Sequence, residues 1–232
     1  MPTITVVADQ IIAQDLPALF VDTCILLDVI RSIKRKYANC AAQAQGLHNA
    51  ATVAPRQCIV VVSHLVQYEW GVHEQELLDE ATRHLIDLQE HSGHFHDACG
   101  VFGIAPGFGR SNYAAHNMAV RLHDLSHQLL NCGIVIDPDN ECSGRAITRV
   151  IHNVPPSKKG GEAKDCTILE EYLAVARRLR DGGFQKKLVF CTSNTNDYCD
   201  PGGLHAVLAA EFAHINLRFT SNLGWGFHDV TH

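Results

Sequence analysis

Four acidic residues stand where a chain of alternating strands and helices would gather them. Asp22 directly follows the apolar run LFV, and Asp197 lies just past LVFCT, in a loop that also offers Thr192, Ser193, Asn194 and Asn196. Asp165 opens a helix, and Glu69 lies about one and a half turns into the helix after a second strand. Open α/β sheets bind ligands outside the carboxyl ends of their strands. Four carboxylates converging there would repel one another unless they held cations. Hard oxygen ligands of this kind suit Mg²⁺ or Mn²⁺, which keep waters and share phosphate oxygens with a substrate. Metal-bound water is then a usable nucleophile, and the metal neutralises charge on an attacked phosphate. Each acid also has a structural role open to it: Asp165 as an N-cap, Asp197 as part of a turn, Glu69 as a surface residue. Asp22 differs, because a carboxylate embedded in LFVDTCILL is predicted to be largely buried and so needs partners or a metal.

The elements that must position these residues are readable. PALFVDTCILL gives a short buried strand, 19–21, and a helix that carries RSIKRKY. CIVVVS is a second strand, apolar on both faces as a covered parallel strand is. The pattern is helical from Leu65 to about His91, with Ser63 as its cap. GVFGIAPGFGR then breaks the chain before a second helical stretch, Asn112 to Asn131. GIVID is a short strand. After the basic NVPPSKKGGEAK, a helix is predicted from about Asp165 to Arg180. Its apolar residues Ile168, Leu169, Tyr172, Leu173, Ala176 and Leu179 sit at helical spacing, and Gly182 is its stop. KLVFCT is a strand, GGLHAVLAAEFAHI a helix and NLRFTS a last strand. Such alternation implies a three-layer α/β/α fold with a central parallel sheet and right-handed crossovers. The expectation is a single domain over 1–232, with a largely helical insertion at about 72–157.

Composition sets the background. A chain of 232 residues, 46% hydrophobic, can bury a full core, and a net charge of −6 argues against a general coating of nucleic acid by positive charge. Nine cysteines are scattered singly, with no CxxC, so no disulfide framework and a reducing, cytoplasmic setting are expected. The N-terminus MPTITVVADQ does not read as a signal peptide, and no apolar run suggests a membrane partner.

Taken together, FVDTCILL, the Glu in VVVSHLVQYEW, KDCTILEEYLAVARRL and VFCTSNTNDY resemble a PIN domain, and Lys158 to Tyr198 is especially similar to bacterial PIN-like families of obscure role. The resemblance covers about 17–69 and 158–221. It implies a metal-dependent nuclease, usually acting on RNA, with Mg²⁺ or Mn²⁺ held by Asp22, Glu69, Asp165 and Asp197. Thr23 and Ser193 or Asn194 would occupy supporting positions. Many family members carry Asn after the Asp-Thr pair, whereas this chain has Cys24. A structure-specific DNA nuclease is the close variant. Toxin–antitoxin or defence roles, an inhibitory protein partner or a homodimer follow by family analogy alone.

Nucleic-acid contact needs positive charge. Arg31, Lys34, Arg35 and Lys36 lie on the first helix, and Lys158, Lys159 and Lys164 precede Asp165, where they could position a phosphate backbone or belong to a solvated loop. HDLSH (123–127) resembles the zinc-protease HExxH. With 15 histidines, though, about one HxxxH arises by chance, so an amphipathic helix bearing histidines is the better reading. HSGHFHDAC (91–99) reads as a polar loop or helix end because of Gly93, and DPDNEC lacks the glycine and glutamate of a calcium loop. GFGR and KKGGEAKD do not fit a phosphate loop. Two other functions compete. In a haloacid-dehalogenase-like phosphatase Asp22 would be the nucleophile, Ser193 or Thr192 the phosphate binder and Lys164 the clamp, but Cys24 stands where that family places its second Asp. The other is a non-catalytic module that binds RNA or a protein partner.

Overall fold

The computed structural model describes residues 2–105, 112–157 and 163–232. In chain order the elements are α1 (Ile4–Gln14), β1 (Ala18–Val21), α2 (Thr23–Ile30), α3 (Cys40–Thr52), β2 (Ile59–Ser63), α4 (His64–Val101), α5 (Met118–Cys132), β3 (Ile134–Ile136), α6 (Asn140–His152) and α7 (Ala163–Asp181). Then follow β4 (Leu188–Cys191), α8 (Thr195–Tyr198), β5 (Cys199–Asp200), β6 (Gly203–Leu204), α9 (Ala206–His214), β7 (Leu217–Thr220) and α10 (Leu223–Thr231).

Five strands form one parallel sheet in the order β3-β2-β1-β4-β7. Its three inner strands are ALFV, IVVVS and LVFC, and every residue in them is buried. Continuous apolar runs therefore mean strands covered on both faces. On one face α1 and α6 pack against α7. On the other, α2, α3, α5 and α10 pack together, with α10 lying against β1 and β4. The chain builds outward from β1 to β2 and β3, then returns to the far side of β1 for β4 and β7. The strand order therefore reverses between β1 and β4, and the crevice at such a point is where open parallel sheets take ligands. Asp22 and Thr192 are the first residues beyond those two strands. Backbone bonds from Asp22 N to Cys191 O (3.0 Å) and from Thr192 N to Thr220 O (3.1 Å) carry the ladder to this edge.

The structure differs from the sequence reading in several places. α4 runs unbroken through Gly93 to Val101, so HSGHFHDAC forms a helix end, the second of the two expected forms, and not a loop. Gly93 has open space where a Cβ would be, so nothing in its packing marks a break. GIVID joins the main sheet as its edge strand beside β2, and α5 packs on α2 and α3, so part of the 72–157 interval builds the core. The helix stop after α7 is Gly183 rather than Gly182. Gly183 has φ +78°, and Phe184 N bonds Leu179 O at 2.9 Å, closing a Schellman turn. Asp197 sits in the one-turn helix α8, and Asp165 is the third residue of α7 rather than its cap.

α7 is held by buried charge as well as by apolar packing. Glu170 accepts from Arg145 Nε (2.8 Å) and Arg149 Nε (2.6 Å), both on α6, while Arg149 also reaches Glu211 Oε2 on α9 at 2.6 Å. The guanidinium fork satisfies several acceptors at once, the condition under which a buried ion pair is tolerated.

Candidate active site

Asp22 is buried, 3% exposed, and N-caps α2. Its Oδ1 accepts from Thr23 N at 2.7 Å, and its Oδ2 accepts from Thr192 Oγ1 at 2.6 Å and from Cys24 Sγ at 3.3 Å. Burial raises its pKa and the charge of Glu69 adds to that, while the bonds from Thr192, Cys24 and Thr23 work the other way. An ionised Asp22 is therefore disfavoured by its surroundings, and a cation would relieve this.

From Asp22 hydrogen bonds run two ways, toward Glu69 and toward Asp165 and Asp197. The circuit is closed only by an ion pair and by the chain link between Lys164 and Asp165. Thr23 Oγ1 donates to Glu69 Oε2 at 2.8 Å, and Lys164 Nζ lies 3.4 Å from Glu69 Oε1. The next residue is Asp165, whose Oδ2 accepts from Asn194 Nδ2 at 3.2 Å. The same amide nitrogen donates to Asp197 Oδ2 at 2.7 Å. Asn194 N donates to Thr192 Oγ1 at 3.1 Å, and Thr192 returns to Asp22. The four sequence-selected carboxylates thus belong to one polar network, and Asp197 turns toward Asp165 rather than capping a helix. Tyr198 OH bonds Asp165 O at 3.3 Å and pins α8 against the start of α7.

The supporting residues divide. Thr23 and Asn194 bond carboxylates of the circuit directly. Ser193 does not: its Oγ donates to Asp28 Oδ2 at 2.6 Å, and its backbone N bonds Cys24 Sγ at 3.0 Å. Cys24, in the place where the resemblance implies Asn, bridges Asp22 and Ser193 N through its sulfur, and burial holds its thiol pKa well above the usual range. Lys164 is exposed and also sits 5.4 Å over the ring of Tyr68, itself 61% exposed. Arg31 lines a different cleft, with His73, Glu76 and Glu80 between α2 and α4, and lies 3.8 Å from Asp28. Lys158 and Lys159 lie outside the described residues.

Three contributors carried little sequence signal. Tyr172 OH donates to Val21 O at 2.6 Å and accepts from Ser63 N at 3.0 Å, tying together the carboxyl ends of β1 and β2. Asp28 is buried beneath Ser193. Glu171 is fully buried, neither of its oxygens has a hydrogen-bond partner, and His64 Nδ1 stands 3.3 Å from Oε1. Burial pushes the Glu171 pKa up to about 7, the nearby Ser63 hydroxyl works the other way, and the charge of Asp139 adds to the rise. Burial also lowers the pKa of His64.

The histidine motifs resolve as structure. The rings of His123 and His127 both lie against Trp70, at 5.3 and 4.9 Å, and His123 Nε2 meets Glu74 Oε2 at 2.8 Å. Trp70 Nε1 bonds Ser126 Oγ, which bonds Leu26 O. HDLSH is thus the joint between α4, α5 and α2.

Among the described residues, no three His, Cys, Asp or Glu side chains are grouped ready to hold a metal ion. The acids of the circuit stand instead in pairs: Asp22 with Glu69 in electrostatic contact, and Asp165 with Asp197 across one amide. Hard carboxylate pairs fit Mg²⁺ or Mn²⁺, which commonly take one or two carboxylates and fill the remaining positions with water and phosphate. Among the described residues, no helix is long and apolar enough to cross a membrane. No family model, curated protein or solved structure gives a significant match to this chain.

Proposed function

We propose that the chain is a metal-dependent nuclease of PIN type, cleaving RNA phosphodiesters with activated water. The observation that carries this reading is the circuit joining Asp22, Glu69, Asp165 and Asp197 at the point where the strand order reverses. Mg²⁺ or Mn²⁺ held by these carboxylates would lower the pKa of bound water and neutralise charge on the attacked phosphate. The chain's own residues supply position. Thr192 and Thr23 N fix the Asp22 carboxylate, and the single Asn194 amide holds Asp165 and Asp197 together. Lys164, exposed beside Glu69, is placed to meet a phosphate oxygen of the incoming strand. Preorganisation of this kind lowers the reorganisation needed at the moment of reaction.

The test is cleavage of mixed RNA and DNA substrates with Mn²⁺, Mg²⁺ or chelator, comparing wild type with Asp22→Asn and Asp165→Asn. The reading expects RNA cleavage that needs the metal and is lost in both variants. Cleavage confined to DNA would move the assignment to a DNA nuclease on the same core. Cleavage that survives chelator or either substitution would sink the metal-nuclease mechanism.

A further inference from the structure

A second polar cleft opens on the far side of Ser193 from Asp22. It has a volume of about 490 Å³, within the roughly 300–1,000 Å³ range of small-ligand sites. Asp28, Lys36, Tyr37, Gln43, Ser193 and Asn222 are among the residues that line it. Ser193 belongs to both places: its backbone N bonds the Cys24 sulfur that touches Asp22, and its hydroxyl bonds Asp28 in the wall of the cleft.

The walls are specific in kind. Tyr37 is 43% exposed; its backbone N bonds Ser32 O at 2.9 Å, and its hydroxyl accepts from Arg35 Nη1 at 3.4 Å. Arg35 is itself held by Asp28 Oδ1 at 3.1 Å. Lys36 has φ +56°, a left-handed conformation that costs a lysine more than a glycine, and it forms no ion pair with any described residue. The αL position closing this turn would ordinarily favour glycine, so a strained lysine there brings a cation to the rim. Asn222 spends its Oδ1 on the N-cap of α10, bonding Gly224 N and Trp225 N. Its Nδ2 is not part of that cap. Gly224 leaves the room that the Gln43 amide occupies.

An exposed aromatic ring, an unpaired cation and amide groups around a ligand-sized cleft match a nucleotide: stacking for the base, charge for the phosphate, amides for base or sugar edges. We propose that this cleft binds one unpaired nucleotide of the strand whose phosphate lies at the Asp22 circuit. The proposal rests on the nuclease reading above for the identity of the strand, but its binding chemistry can be measured without cleavage.

The experiment is equilibrium binding of a fluorescein-labelled pentaribonucleotide, its deoxy counterpart and free AMP. It is done in EDTA with wild type, Tyr37→Ala, Tyr37→Phe and Lys36→Gly. Tyr37→Ala is expected to weaken pentanucleotide binding by roughly tenfold, the loss of one stacked base, and Tyr37→Phe to keep most of it. Lys36→Gly relieves the backbone strain, so it should unfold at equal or higher denaturant than wild type and yet bind several-fold more weakly at low salt. Binding unchanged in both Tyr37→Ala and Lys36→Gly, or no pentanucleotide binding at all, overturns the subsite. AMP binding as tight as the pentanucleotide also overturns it, in favour of a free mononucleotide site. Weakened binding in the variants without metal-dependent cleavage by wild type would leave the subsite standing and remove the nuclease reading. Cleavage with unaltered binding in the variants would do the reverse.

Discussion

Glu171→Gln isolates one buried proton. Glu171 is fully buried with no hydrogen-bond partner for either oxygen, and burial raises its pKa from 4.5 to about 7. The folded pKa lies above the unfolded one, so the stability contributed by the protonated acid is fully present below pH 4.5. It is lost as pH rises through about 7. The span is about two and a half pH units, and at about 1.4 kcal/mol per unit the loss is about 3 kcal/mol. The groups facing the carboxyl are His64 and Ser63 at the end of β2, with Asp139 and Cys142 from the start of α6. They remain in the variant, and their titration largely cancels in the comparison. Gln keeps the shape without the titration. Thermal and urea unfolding of both proteins should therefore be followed from pH 5 to pH 8. Between pH 5 and pH 8 the variant should gain about 2.5 kcal/mol on wild type, levelling off above about 7, equivalent to roughly 5–10 °C in Tm for a chain of this size. Parallel stability curves across this range, or a wild type that gains on the variant as pH rises, would refute the reasoning.

Three further substitutions probe the frame of the site. Tyr172→Phe strips Val21 O and Ser63 N of their partner, and it should cost about 3 kcal/mol in urea unfolding because both groups are buried. Thr192→Val removes the closest bond to Asp22 Oδ2. It should cost about 1.5–3 kcal/mol if Asp22 is ionised, and raise the pKa read from the pH profile of any cleavage. Gly226→Ala would set a methyl 3.3 Å from Cys191 Sγ, Leu19 Cδ1 and Thr220 Cγ2, pressing α10 off the sheet. An unfolding loss of about 1–3 kcal/mol is expected, with α10 showing faster amide exchange.

The sheet was largely legible because its strands are covered on both faces: LFV, CIVVVS and LVFC carry unbroken apolar runs, and the residues just beyond them fall at the carboxyl edge. Asp22 stood out for the same physical reason, a charge placed where only apolar neighbours are expected. Asp197 and Asp165 were legible as acids that converge, but the residue that joins them was not. Their link is the Asn194 amide, and a side-chain bond between residues 29 apart leaves no periodic trace. The long helix α4 was cut short because a helical glycine reads as a break, whereas Gly93 is tolerated at about 1 kcal/mol in a helix held elsewhere by its packing. Glu170 and Glu171 drew no expectation from the sequence, and α6, which covers their side of α7, supplies Arg145 and Arg149 for only one of them. Lys36 and Tyr37 read as part of a basic helix face. The left-handed turn that sets them at the rim of a cleft depends on backbone geometry, which residue type does not fix for a lysine.

The central claim is that the Asp22–Glu69–Asp165–Asp197 circuit holds the divalent cation on which catalysis depends. Calorimetric titration of Mn²⁺ into wild type, Asp22→Asn and Asp165→Asn, each confirmed folded by its unfolding transition, tests it directly. The account expects saturable binding to wild type that is lost or weakened at least tenfold in both variants, in step with loss of RNA cleavage. No Mn²⁺ binding to wild type, or binding unchanged in either folded variant, would contradict it.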